Sequence, residues 1–274
     1  MKMIKTILKK SFEWKESKKD LFMLSFFTQF IYLAVAVYFI VVSFLQIMEH
    51  SNYIMDKFSS LTPEQVALGM ADNPLAIYSR YSSLITSVVF LIILSYLAYL
   101  VLNGTSWSIA NKIVNAKQKF FRFFPKYIAF TLVFTLPLLA VLWFFTRFAA
   151  VTGLSTLFMT LFGVVALVFW YFMMVSFSLI HNYWVWDFKY HFIRTFVVGV
   201  KKSGTLVPIG LLNLAVLCLL GLLVYKTADN FIPLVIAIAL FILASVQARI
   251  LFMTAVHEVS EGRILKGRKT VLKM

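Results

Sequence analysis

Residues 21–48 read LFMLSFFTQFIYLAVAVYFIVVSFLQIM, without one Asp, Glu, Lys or Arg. A hydrocarbon core takes about 20 such residues as a helix. In lipid the segment must be helical, because an open strand leaves its peptide groups without partners. It is too long for the apolar part of a signal peptide, and no small-residue cleavage site follows it. Lys2, Lys5, Lys9, Lys10, Lys15, Lys18 and Lys19 precede it. The stretch is expected to be a retained first span over 21–47.

Working outward, apolar runs recur at 82–102, 127–147, 153–180, 205–225 and 231–253. They are apolar on every side, whereas barrel strands alternate over about ten residues. The whole chain agrees: 61% of its 274 residues are hydrophobic and 14% are charged. A soluble chain is about 45–50% apolar and about 25% charged. These figures exclude a soluble globular protein, a disordered chain and a disulfide-rich domain. The lone Cys218 makes no internal disulfide and reads as a small packing residue. Six spans nearly exhaust the length, so the expected fold class is all-α, a single transmembrane domain over 1–274.

The net charge of +15 has a location. With the N-terminus inside, 22 of 26 Lys/Arg fall on the inner side, leaving Lys57, Arg80, Arg147 and Lys226 outside. Acidic residues split 6 to 5. Lys/Arg placement, rather than net charge, reports orientation. The expectation is a multi-pass cell-membrane protein with cytoplasmic N- and C-termini. Trp14, Trp107, Trp184 and Trp186 are placed near inner boundaries and Trp143 near an outer one, where indole rings favour the headgroup level. Trp170 lies deeper. In the outer loop 48–82, Thr62-Pro63-Glu64-Gln65 predicts a short helix over 63–70. Asn73-Pro74 is a second start signal.

The inner connections are basic and aromatic. Residues 104–126 carry Trp107, Ala110, Ile113 and Phe120 among Lys112, Lys117, Lys119 and Arg122, and 183–202 carry Phe188, Phe192 and Phe196 among Arg194, Lys201 and Lys202. Ile4, Ile7, Leu8 and Phe12 do the same before the first span. Such segments read as amphipathic helices in the cytoplasmic interface. An amphipathic segment followed by two spans therefore recurs three times, which predicts three parallel two-helix repeats.

The run through Arg194-Thr195-Phe196 to Lys201-Lys202-Ser203-Gly204, then a span, resembles the six-span membrane domain of some bacterial glycerophosphodiester phosphodiesterases. It is also similar to related uncharacterised six-span membrane proteins of bacteria and archaea. The resemblance implies helices joined by interfacial elbows that end in a basic-Ser/Gly corner. It implies no activity, because the chemistry of those enzymes resides in a separate soluble domain that this chain is too short to hold.

No catalytic or cofactor constellation emerges. His257-Glu258-Val259-Ser260-Glu261 begins like a zinc-protease helix, but Glu261 stands where the second histidine belongs. His257 and Glu261 could share a helix face, but His50, His181 and His191 are scattered and two ligands make no zinc site, so the pair reads as a solvated helix end. No Gly-x-Ser-x-Gly or phosphate-cradling glycine loop is present. Asp187 is the only inner carboxylate between the first and last spans, too few for a metal-dependent headgroup transferase.

Ionisable residues inside a span are the usual pointer to function, and none lies mid-span here. Arg249, near an inner end, is expected to snorkel to the headgroups. Gln29, Asn213 and Gln247 are the candidate intramembrane polar positions, read as interhelical glue or the lining of a small polar site. Pro137 and Pro208 are candidate kinks. Lys119, Arg122, Arg194, Lys201, Lys202 and Arg249 are candidate contacts for anionic lipid on the cytoplasmic leaflet. Nucleic acid is excluded as a partner because the basic residues are interleaved with interfacial aromatics. A second copy or another membrane protein is the remaining partner class. The expected function is non-enzymatic, organising or handling membrane lipid or scaffolding a partner. The alternative is a permease or pore for a small, weakly polar solute.

Overall fold

The computed structural model describes residues 2–59, 74–115, 120–152, 155–180 and 188–271. The elements are helices α1 (Lys2–Ser17), α2 (Lys19–Ser59) and α3 (Pro74–Ala98), a π-helical turn (Tyr99–Asn103), then α4 (Gly104–Val114), α5 (Phe120–Thr152), α6 (Ser155–Leu179), α7 (Phe188–Lys201), α8 (Ser203–Lys226) and α9 (Phe231–Val271). The described residues contain no strand. Six helical stretches are long and apolar enough to cross a membrane. The described spans also leave large apolar side chains exposed, among them Phe44, Ile92, Leu136, Val164 and Leu219. An apolar surface of this extent belongs in lipid rather than water. The chain is an all-α, multi-pass membrane protein.

The helices outrun the apolar runs that predicted them. α2 has 41 residues, about 61 Å at 1.5 Å per residue, twice a hydrocarbon core of ~30 Å. Hydropathy marks only the lipid-facing length, whereas a helix continues wherever its backbone ladder is intact. α3 starts at Pro74, as Asn73-Pro74 predicts, because proline at the first helical position has no hydrogen bond to lose. The predicted cap and helix at 62–70 lie outside the described residues, as do Lys119, Trp184 and Trp186. Pro137 lies within α5 and Pro208 within α8, each inside one continuous helix. Pro125 joins them, because α5 begins seven residues before the predicted start at 127.

Two compact units divide the chain: Phe30–Asn103, and Met1–Gln29 with Gly104–Met274. In the first, Arg80 fastens α3 to α2. It donates to Glu49 Oε1 at 3.1 Å, approaches His50 Nδ1 at 3.3 Å and lies 5.0 Å over the Tyr53 ring. Tyr99 stacks on Tyr96 and meets Tyr32 edge-on.

In the second unit the core gathers where α6, α8, α9 and α1 meet, around Val175, Leu179, Leu206, Phe252, Val256 and Ile7. α4 is enclosed beside it. Trp107, Ala110 and Ile113 are buried, and Trp107 and Tyr127 both pack on Phe177, with centroids at 5.2 and 4.5 Å. Gly104 permits this approach, since a Cβ there would stand 2.8 Å from the Tyr127 ring. Small residues at helix contacts matter in a membrane because close packing, rather than release of water, holds helices together.

Three expectations change. Residues 104–114 present no free amphipathic face: they form a helix after the π turn and are largely buried in protein. Their periodic aromatic and small residues face neighbouring helices, and Trp107 with them. His257 is not on a solvated helix end. It is buried, and Glu258 binds Lys10 Nζ at 2.5 Å, because α9 runs on to Val271 against α1. Cys218 is exposed on α8 rather than packed inside.

Candidate functional site

α7 carries Arg194, Val197, Val198 and Lys201 at spacing i, i+3, i+4, i+7, which sets all four on one helical face, and Lys202 follows at its end. That face meets Val259 and Ser260 of α9 around a small cleft of about 60 Å³. Val198 packs on the core, so the aliphatic part of the face is anchored while the cations rim the opening. Lys202 is also the N-cap of α8. It makes no side-chain cap hydrogen bond, and its carbonyl accepts from Thr205 and Leu206 at 3.0 Å. Three cations therefore gather at the corner where α7 turns into a span. Arg122 is exposed at the start of α5, outside this cleft.

Next to the corner lies an apolar furrow of about 350 Å³ between α6 and α8. Val164, Leu167 and Val168 line one wall, and Val207, Leu211 and Leu214 the other. Both helices rest on α9 more than on each other, which leaves the furrow between them. Two contacts tie it to the elbow. Tyr171, in its wall, donates to the Gly199 carbonyl at 2.8 Å. A Cβ on Gly199 would stand 2.7 Å from the Phe172 ring, so glycine is what lets α7 lie this close to α6.

The intramembrane amides are used between helices. Asn213 Nδ2 donates to the Ala248 carbonyl at 2.9 Å, and Gln247 Nε2 to Ser11 Oγ at 3.4 Å. Gln29 Oε1 accepts from Arg249 Nη2 at 3.2 Å. Arg249 therefore does not snorkel. It is 7% exposed, its guanidinium lies 5.3 Å over the Trp107 ring, and it faces protein instead of headgroups. A guanidinium is weakly hydrated and stacks on indole, so Arg249 can turn inward where an amide and an aromatic face await it.

The sequence marks His191 only as one of several scattered histidines and gives no sign of Lys126. The His191 ring lies 4.0 Å over Phe130, and Nε2 is 3.1 Å from Ser176 Oγ. Burial pushes its pKa down to about 4; the Ser176 hydrogen bond acts the other way, and Arg194 and Lys126 add to the lowering. Lys126 is buried at the base of α5. Lys18 donates to the Ile113 carbonyl at 2.7 Å and the Lys112 carbonyl at 3.3 Å, placing a cation on the negative end of α4. Burial there, with Lys112 nearby, lowers the Lys18 pKa.

Among the described residues no three His, Cys, Asp or Glu side chains gather as metal ligands. The distinctive chemistry of the second unit is thus a cationic corner set against an apolar furrow. The chain matches no protein-family model, no curated protein and no solved structure.

Proposed function

We propose that this protein is a non-enzymatic cell-membrane protein that holds anionic lipid at its cytoplasmic face and thereby organises lipid or a membrane partner. The observation carrying this reading is the convergence of Arg194, Lys201 and Lys202 around one cleft at the α7–α8 corner. Each such cation near a membrane surface attracts anionic lipid by about 1 kcal/mol. The Lys/Arg asymmetry supports cytoplasmic termini, which puts this corner on the leaflet richest in anionic lipid. α1 and α7 each turn through one residue, Lys18 and Lys202, into a long helix, and this supports both the repeat reading and the resemblance. The permease reading has less support, because Gln29, Asn213 and Gln247 are engaged in interhelical hydrogen bonds.

The test uses the full chain in nanodiscs of mixed phosphatidylcholine and phosphatidylglycerol, with retained lipid counted by native mass spectrometry. Phosphatidylglycerol is expected to be enriched, and the triple variant Arg194→Gln/Lys201→Gln/Lys202→Gln is expected to lose that enrichment. Equal retention of both lipids by the wild-type chain would overturn the proposal. Reporter fusions at both termini check the orientation.

A further inference from the structure

We infer that the furrow between α6 and α8 seats one acyl chain of the anionic phospholipid whose headgroup lies at the Arg194–Lys201–Lys202 corner. The inference rests on the proposed function and adds a defined, single-lipid site to it.

The geometry fits such a molecule. From Lys202, the N-cap of α8, to Val207 is five residues, about 7.5 Å of helical rise. Val207, Leu211 and Leu214 then recur on one face of the helix, so the α8 wall runs about 10 Å further along it. Charge stands at one end and hydrocarbon lining extends from it, in the order of a phospholipid's phosphate and chain. The Tyr171 hydroxyl is satisfied by Gly199, so it presents no unmet polar group to a chain. The same hydrogen bond fixes the furrow wall to α7, whose Val198 lines the cleft, so the two halves share one rigid element.

An acyl chain leaving bulk bilayer for the furrow gains no hydrophobic free energy, because both surroundings are apolar. It gains dispersion contacts along a furrow that lipid must fill in any case. Selectivity therefore comes from the headgroup, and the furrow decides where the chain lies. Two separable signatures follow. Removing cations should abolish the preference for an anionic lipid, and blocking the furrow should move the chain without abolishing retention at the corner.

The full chain is reconstituted in nanodiscs with trace phosphatidylglycerol or phosphatidylcholine bearing a diazirine on the acyl chain. Labelled residues are mapped after photolysis. The phosphatidylglycerol probe is expected to label 164–172 and 207–214 in excess over the phosphatidylcholine probe. The excess should fall about fivefold in Lys201→Gln, the factor matching ~1 kcal/mol per surface cation. Leu211→Trp fills the furrow from a position 60% exposed, so the core is untouched, and should erase the excess. Leu219→Trp, on the same helix but outside the furrow and 67% exposed, should leave it intact.

Equal labelling by both probes in the wild-type chain would overturn the inference. So would an excess that survives Leu211→Trp, or one that Leu219→Trp erases as well. If phosphatidylglycerol is enriched at the corner but its chain labels elsewhere, this inference fails and the proposed function stands. If phosphatidylglycerol is not enriched at all, the proposed function fails first.

Discussion

Gln29→Leu removes the acceptor that Arg249 Nη2 meets at 3.2 Å, at a place where Gln29 is 9% and Arg249 7% exposed. Neutral interhelical hydrogen bonds in membranes couple by about 0.6 kcal/mol on average and ~1.7 at most. A hydrogen bond with one charged partner is roughly twice as strong as a neutral one. The coupling between Gln29 and Arg249 should therefore be about 1–2 kcal/mol. It is measured by a double-mutant cycle on Gln29→Leu, Arg249→Met and the pair, with unfolding free energies from steric trapping in bicelles. Gln29→Leu alone should destabilise, and the same change should matter less once Arg249 is Met. Gln29→Glu, which keeps an acceptor and adds a counter-charge, should retain stability. A coupling below ~0.3 kcal/mol, within the error of additivity, would refute the claim that Arg249 is held in protein by Gln29.

Gly199→Val forces a side chain where a Cβ alone would stand 2.7 Å from Phe172, and overpacking of this kind costs about 1–3 kcal/mol, read by the same unfolding assay. Asn213→Leu loses the 2.9 Å bond to the Ala248 carbonyl and should cost ~0.6 kcal/mol, with α8 still docked on α9 by cysteine cross-linking. His191 should give the fold a pH dependence. Its folded pKa, about 4, lies below the ordinary 6.5, so between these values the unfolded chain binds the extra proton. Its contribution is present in full above pH 6.5 and is lost as the pH falls toward 4. His191→Phe should flatten the stability profile across that window.

The number of spans was legible because lipid imposes one rule on every segment, an apolar length with its backbone satisfied internally. The basic run before α8 was legible as Arg194, Lys201 and Lys202, and the structure sets these around one cleft, whereas Arg122, expected beside them, lies outside it. The direction in which α4 faces was not. A periodic run of Trp107, Ala110 and Ile113 suits a headgroup boundary and a protein interior equally well, and only its neighbours decide. Arg249 failed for the same reason. Near the end of an apolar helix, snorkelling is the local optimum, and the partner that overrides it lies 220 residues earlier in the chain. The burial of His191 depends on Phe130 of another helix and left no local trace. The furrow likewise arises from how α6 and α8 rest on α9.

The meeting of segments far apart in the sequence also sets a schedule. Gln29 meets Arg249 across 220 residues, and Lys10 meets Glu258 across 248. At ~5–20 residues per second, synthesis separates Gln29 from its partner by about 10–45 s. For that interval the first span sits in the membrane with its amide turned toward a place no guanidinium yet occupies. The helix that completes this span is made 220 residues after Gln29, so their docking follows insertion of the first span rather than accompanying it.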